Sequence, residues 1–381
     1  MVQWRVPLAD LDIGPEELEA VAAVLGSRWL SMGPVTQRFE QAFAEYLGAR
    51  HAVAVANATA ALHLANLALG IGPGDEVIVP SLTFVATATA VAYSGATPVF
   101  ADITSEDDLS IDPRAIEAAI TPATKAIVVM HYGGYLCDME AIASIARRHG
   151  LAVVEDAAHA PGAEAGGKKA GTFGAIGCFS FFSNKNLATG EGGMLVTDDD
   201  CLAERARLLR SHGMTALTWD RHLGHAHSYD VVAVGYNYRL DEMRAALGLA
   251  QLARLDANNA RRRQLAGRYR DRLAGLDGLV LPYQVHRGAS AAHLFPVLLD
   301  ERVDRRRFIE LLKARGIQTS IHYPPVHQFT LYRARTLRQP LPVTERVGRG
   351  QVTLPLYPRM TPEDVDLVAD AVREALNAAR T

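Results

Sequence analysis

Lys185 ends an aromatic run, Phe179-Ser180-Phe181-Phe182-Ser183-Asn184-Lys185, and a glycine turn, Gly190-Glu191-Gly192-Gly193, follows it. Upstream, Asp156 closes a second apolar run, Leu151-Ala152-Val153-Val154-Glu155-Asp156. Most lysines are solvated, but one flanked by Phe181, Phe182 and a glycine turn is partly desolvated, which favours the neutral amine with a usable lone pair. An aspartate buried at a strand end is costly unless a cation or several donors meet it, so a protonated heterocycle or a structural arginine should pair with it. Pyridoxal phosphate needs both groups: an amine to form a Schiff base with its aldehyde, and a carboxylate to keep its pyridine nitrogen protonated, which makes the ring an electron sink.

Three further segments could serve the same cofactor. Val53-Ala54-Val55-Ala56-Asn57-Ala58-Thr59-Ala60 reads as strand, turn and helix start. The unpaired amides and positive dipole end of such a start bind anions, and Thr59 adds a hydroxyl, although plain capping has the same signature. Phe84, in Pro80-Ser81-Leu82-Thr83-Phe84, falls at the carboxyl end of an apolar strand, where open α/β sheets place ligands. Its ring can stack on a heteroaromatic group there or be a core phenylalanine. With a strand's period of two, Asp156 shares a face with Val154 while Glu155 points the other way. His159 could donate to a phenolic oxygen or be a satisfied core histidine. Ser180, on the strand that leads to Lys185, fits a phosphate-contacting hydroxyl.

The elements that must hold these groups alternate. Strands are expected over 52–55, 76–79, 97–100, 126–130, 151–155, 177–182 and 192–197, with helices over 59–69, 84–93, 113–120, 139–149 and 201–211. Several strands are apolar throughout, as in a mostly parallel sheet covered on both faces. The fold class is therefore α/β, a seven-stranded mostly parallel sheet flanked by helices, with a smaller C-terminal α+β domain. A long arginine-rich helix over 241–276 links the two, and the acids among its arginines mark a solvated or interface face. Beyond it the sequence predicts strands over 293–299 and 318–321, a helix over 304–315, a loop with a short turn over 324–342 and a closing helix over 361–378. The expected division is a large domain over 1–250, including an N-terminal arm, and a small one over 251–381.

Composition narrows the partners. The 381 residues are 49% hydrophobic and 21% charged, with a net charge of −3, which gives no electrostatic case for nucleic acid or a membrane surface. The first residues carry no basic segment before an apolar one, the apolar stretch over 52–69 is broken by polar residues, and three cysteines without CxxC spacing suit neither disulfides nor zinc. The expected location is the cytoplasm. His212, His222, His225 and His227 share no helix face and have no cysteine beside them, so no metal is expected. There is no GxGxxG after the first strand and no GxxxxGK[ST], which leaves a nucleotide-binding enzyme of those types unsupported.

Asn57-Ala58-Thr59-Ala60-Ala61-Leu62, the segment from Gly74 through Phe84 to Thr87, Glu155-Asp156-Ala157-Ala158-His159, Phe179 to Lys185, Gly190-Glu191-Gly192-Gly193 and Gly235-Tyr236-Asn237-Tyr238-Arg239 occur in order. Together they resemble the DegT/DnrJ/EryC1/StrS family of pyridoxal-phosphate-dependent sugar and cyclitol aminotransferases, of the aspartate aminotransferase superfamily and fold type I. The resemblance implies catalytic roles for Lys185, Asp156 and His159, the last beside the cofactor's O3′. It implies ring stacking by Phe84, a phosphate site of Ala58, Thr59 and Ser180, and Asn237 reaching that phosphate from the second subunit of a homodimer with shared active sites. Ser183 does not occupy the family's phosphate-serine position. Trp29 and Ser31 resemble an early loop that closes over substrate, and His322 and Tyr323 a strand that lines the entrance. Packing roles serve all four equally well.

The implied reaction moves an amino group from an amino acid, expected to be glutamate, to a keto sugar carried on a nucleoside diphosphate. The lysine segment and His131-Tyr132-Gly133-Gly134 resemble enzymes acting at C4 of a 4-keto-6-deoxyhexose. Alternatives are an aminocyclitol (scyllo-inosose type) or C3 keto-sugar aminotransferase and a non-catalytic regulator of the same fold. The family's dehydratase branch lacks the lysine that this chain has.

Overall fold

The computed structural model describes residues 4–215, 228–333 and 338–380. Its strands are β1 (His51–Val55), β2 (Glu76–Pro80), β3 (Thr97–Ala101), β4 (Thr124–Met130), β5 (Ala152–Asp156), a short hairpin pair β6 (Glu164–Ala165) and β7 (Lys168–Lys169), β8 (Ile176–Ser180), β9 (Gly193–Thr197), β10 (Leu279–Val280), β11 (Phe295–Leu299) and β12 (Gln351–Leu354). Seven of them form one sheet in the order β1-β9-β8-β5-β4-β2-β3, and β9 alone runs antiparallel to its neighbours. All seven expected strands are present, each within about two residues of its expected limits.

Helices bury the sheet on both faces, so β2, β8 and β9 are buried along their whole length. Helix Met139–His149 illustrates how local sequence sets the spacing between strands. Asp138 accepts from the Ala141 amide at its start, Gly150 closes it in the left-handed region with φ 64°, and Arg147, Arg148 and His149 complement the dipole of its last turn. Because β2, β4, β5 and β8 run parallel, their carboxyl ends, Pro80, Met130, Asp156 and Ser180, lie along one edge. Met130 is opposite Asp156 in register, and Asp156 is opposite Cys178.

The helix Glu242–Leu273 starts at an Asp241 cap and runs unbroken through residue 250. Arg268 and Arg272 on it pair with Asp366 and Asp370 of the closing helix Pro362–Ala378, so part of the basic run faces its own chain. The smaller sheet has the order β10-β11-β12 and is antiparallel. Its core is built from Phe295, Val297, Phe308, Val352, Val368 and their neighbours.

The segment 318–321 was expected as a strand and is not one: Ser320 makes a single bridge to Thr353. Side chains take the backbone groups that a ladder would use next. Gln351 Oε1 accepts from the His322 amide, and the Tyr132 hydroxyl donates to the His322 carbonyl. The third strand is β12 instead, in a stretch where no strand was expected. Among the described residues no helix is long and apolar enough to cross a membrane.

Candidate active site

A cavity of about 490 Å³ opens at the carboxyl ends of the parallel strands, with Asp156 and Lys185 both on its wall. Asp156 ends β5 and is buried; one carboxylate oxygen accepts from the Thr87 hydroxyl at 2.7 Å and the other from the Ala158 amide at 3.2 Å. Burial raises its pKa, opposed by these donors and by the charge of Lys185. On the opposite face of the strand, Glu155 accepts from the amides of Gly171, Phe173 and Gly174 and from His131 Nε2, which fixes the strand end and so the direction of Asp156.

Lys185 follows β8 in a turn closed by its own amide donating to the Phe182 carbonyl. Burial lowers the pKa of its amine to about 8, against the pull of Asp156. Its Nζ lies 3.5 Å from His293 Nε2.

The corner where an anion was expected is made by the start of the helix Ala58–Ala68. Asn57 caps it by accepting from the Ala60 amide at 2.9 Å, and Ala58 and Thr59 ahead of that amide line the cavity with Ser180. Gly193 at the start of β9 permits this corner, since a Cβ there would stand 2.5 Å from the Asn57 carbonyl carbon and 2.8 Å from the Ala58 nitrogen. Ser183 donates instead to the Gly190 carbonyl, within the glycine turn.

Phe84, His159, His322 and Tyr323 complete the wall, and about half of the Phe84 surface is exposed. The Phe84 and Tyr323 rings are 5.6 Å apart. His159 Nδ1 accepts from the Gly133 amide at 3.3 Å, so the neutral ring carries its hydrogen on Nε2 and donates it to the Tyr323 hydroxyl oxygen at 3.0 Å. Burial and the Lys185 charge depress the His159 pKa well below the usual histidine value, in keeping with that neutral ring.

Three of the expected residues stand apart from this cavity: Trp29 and Ser31, before the helix Pro34–Leu47, and Asn237, whose backbone bridges to Ser211. Thr87, Asn184, Glu191 and His293 carried no expected site role, although Thr87, Asn184 and Glu191 lie within the motifs quoted above. Of the four histidines weighed for a metal, His222, His225 and His227 lie outside the described residues. Among the described residues no group of three or more histidine, cysteine or acidic side chains is placed to hold a metal ion.

Known proteins resemble this chain over its length. Residues 11–373 match the model of the DegT/DnrJ/EryC1/StrS aminotransferase family. The spore coat polysaccharide biosynthesis protein SpsC of Bacillus subtilis (strain 168) is 46% identical over 389 aligned positions, covering 100% of both chains. The crystal structure of S. venezuelae DesV, in complex with a ketimine intermediate, is 42% identical with a TM-score of 0.89, covering 97% of this chain and 98% of that one. DesI, solved in the presence of its TDP-sugar product, is 35% identical with a TM-score of 0.89, covering 100% and 94%. A lysine and an aspartate on one cavity wall, on this fold and in a chain matched from end to end, lead to one assignment: the chain belongs to the DegT/DnrJ/EryC1/StrS aminotransferase family and is a sugar aminotransferase with pyridoxal phosphate as its cofactor.

Proposed function

We propose that this enzyme moves the amino group of an amino acid, L-glutamate, to C4 of a nucleoside-diphosphate-linked 4-keto-6-deoxyhexose. The observation that carries the reading is the meeting of Lys185 and Asp156 in one cavity, together with the anion corner at Ala58 and Thr59. The TDP-sugar product of DesI supports a nucleotide-linked substrate, and the resemblance of the lysine segment and of residues 131–134 to C4-acting enzymes supports the position. Within this proposal the chain works in the cytoplasm as a homodimer, to whose neighbouring active site Asn237 contributes, and residue 250 approximates the division between the large and small domains.

The residues fit the cofactor. Among the described residues the buried Asp156 carboxylate is hydrogen-bonded only to neutral donors, with Lys185 acting on it at longer range, so a pyridinium N–H would supply the cationic donor it has room for. Ala58, Thr59 and Ser180 would hold the phosphate, Phe84 would cover a ring face, and His159 would act at O3′ through its hydrogen on Nε2, now shared with Tyr323. When bound, pyridoxal phosphate supplies an aldehyde for the amino group and a cationic ring that absorbs the charge left at the α-carbon.

Lys185 Nζ is the base that takes the α-proton of the donor and returns a proton to the sugar carbon in the second half. A pKa of about 8 lets the amine do both near neutrality. Asp156 keeps the ring nitrogen charged in both halves. His322 and Tyr323, at the mouth, would contact the sugar, and Trp29 and Ser31 would close over it.

The test compares the wild type with Lys185→Ala. Borohydride reduction of the cofactor-loaded wild type should leave a phosphopyridoxyl mass on the peptide holding Lys185, and the variant should carry none and turn over nothing. The wild type, given glutamate and a panel of dTDP-, UDP- and GDP-linked keto sugars, should form an amine on a 4-keto-6-deoxy member. Full activity in the variant, or an unlabelled Lys185, rejects the proposal.

A further inference from the structure

Among the described residues the Lys185 amine has His293 Nε2 as its one neighbour within hydrogen-bond reach, and the hydrogen positions behind that histidine are fixed by its partners. The Pro161 and Ala291 carbonyls can only accept. Asn259 Nδ2 donates to Pro161 O at 2.9 Å, which turns Asn259 Oδ1 toward Asn186. Asn186 Nδ2 donates to that oxygen and to Ala291 O, both at 2.7 Å, which turns Asn186 Oδ1 toward His293. An amide oxygen also only accepts, so His293 Nδ1, 2.9 Å away, must carry a hydrogen. In the neutral ring Nε2 is then a bare lone pair, and it faces Lys185.

We infer that His293 is a positioning residue for Lys185, held by Asn186 and Asn259 as the tautomer that accepts one N–H of the lysine amine. The inference rests on the reading of Lys185 as the reacting amine. Reversing the chain would set Asn186 Oδ1 against two acceptor oxygens and forfeit two buried hydrogen bonds. The ring therefore cannot turn donor without unmaking the network.

The surroundings keep it neutral. Lys185, the buried Arg262, His159 with its ring centroid 4.4 Å away, and His322 all face it, and no carboxylate is paired with it among the described residues. Arg262 is bonded to the Leu356 carbonyl at 2.8 Å and weakly to the backbone of His293 itself. Burial first, and then the charges of Lys185 and Arg262, drive the His293 pKa well below the usual value.

A neutral acceptor does what an acid in its place would not. It holds one N–H of Lys185 and leaves the lone pair and the remaining hydrogen for the cavity. It adds no negative charge that would fix the amine as ammonium. Proton transfer by Lys185 thus starts from an oriented nitrogen.

The experiment reads the amine itself. The full chain is loaded with pyridoxamine phosphate, which leaves Lys185 uncoupled, and is acylated across a range from about pH 6 to about pH 11, with Lys185 labelling quantified by mass spectrometry. His293→Phe keeps a flat ring but removes the acceptor, so the ammonium loses a partner and the acid constant of Lys185 should rise about tenfold. His293→Gln offers an amide oxygen and should stay within about twofold of wild type. If thermal melting shows that His293→Phe does not fold, His293→Leu is read with the same expectation. A midpoint in the acceptor-free variant equal to wild type, or equal shifts in that variant and in His293→Gln, overturns the inference. An unlabelled Lys185 after borohydride reduction rejects the proposed function instead, so the two failures are distinguishable.

Discussion

Thr87 donates its hydroxyl hydrogen to Asp156 at 2.7 Å and, having spent it, accepts from the Thr83 hydroxyl at 2.6 Å. The helix after Phe84 thereby holds the carboxylate that, in the proposed reading, meets the ring nitrogen. Thr87→Val keeps the shape and removes the donor. The Asp156 pKa, already raised by burial, should rise further, and the ion pair with the pyridinium should weaken. We expect cofactor affinity to fall about tenfold, with only ~1 kcal/mol lost in stability. Equilibrium dialysis and urea unfolding measure the two separately.

Lys185, Asp156, Phe84 and the Ala58–Ala68 helix start were legible because each sits where a periodic run ends, and a run end in an α/β sheet has a fixed place. Their partners were not. Thr87 and Asp156 are 69 residues apart, and Lys185 and His293 are 108 apart. No periodicity spans such gaps; strand order and register decide them. Gln351–Leu354 escaped for a related reason, since four residues between a helix and a loop carry too little alternation to announce a strand. The segment 318–321 misled in the opposite sense, because its apolar and polar pattern suits a ladder whose bonds are taken by Gln351 and Tyr132.

Glu242 is buried at the start of its helix and accepts from the amides of Gly33, Val35 and Thr36 and from the Thr36 hydroxyl. One carboxylate thus caps a second helix and fixes the chain just after Trp29 and Ser31. Glu242→Ala leaves several buried donors unmet and should cost about 3 kcal/mol by urea unfolding. In the proposed reading the KM for the sugar should rise more than that for the amino acid. Equal changes in both would detach this loop from sugar binding.

Gly193 tests the anion corner without touching a polar group. A methyl at 2.5 Å from the Asn57 carbonyl carbon meets the backbone of the Asn57–Ala58 peptide, so strand or helix start must shift. Gly193→Ala should lower cofactor affinity by at least about tenfold and destabilise the chain by ~2 kcal/mol. Gly190, with φ 84° and open space around a built Cβ, provides a contrast: alanine there strains the turn but crowds nothing. Inorganic phosphate should protect Gly190→Ala from heat more than Gly193→Ala, because the corner survives in the former.

The lysine gives the pH dependence its sign. In the unfolded chain the amine titrates near its ordinary value of 10.5, and in the folded, cofactor-free chain near 8. Below about pH 8 both states bind the proton and burial of the charge costs stability. From about 8 to 10.5 the unfolded chain binds more protons, so this contribution makes the apoprotein more stable as pH rises. In the proposed reading, attachment of pyridoxal phosphate to Lys185 requires the neutral amine. About a tenth of the sites present it at pH 7, against well under a thousandth for an unshifted lysine. The rate at which the apoprotein captures cofactor should climb about tenfold from pH 6 to 7 and level off above 8, followed by absorbance after mixing. Asp156→Asn removes the one charge that raises the lysine pKa, and should move that plateau to lower pH while weakening the affinity for the ring. A capture rate still climbing at pH 10 would mean a solvated amine, incompatible with its place beside His293.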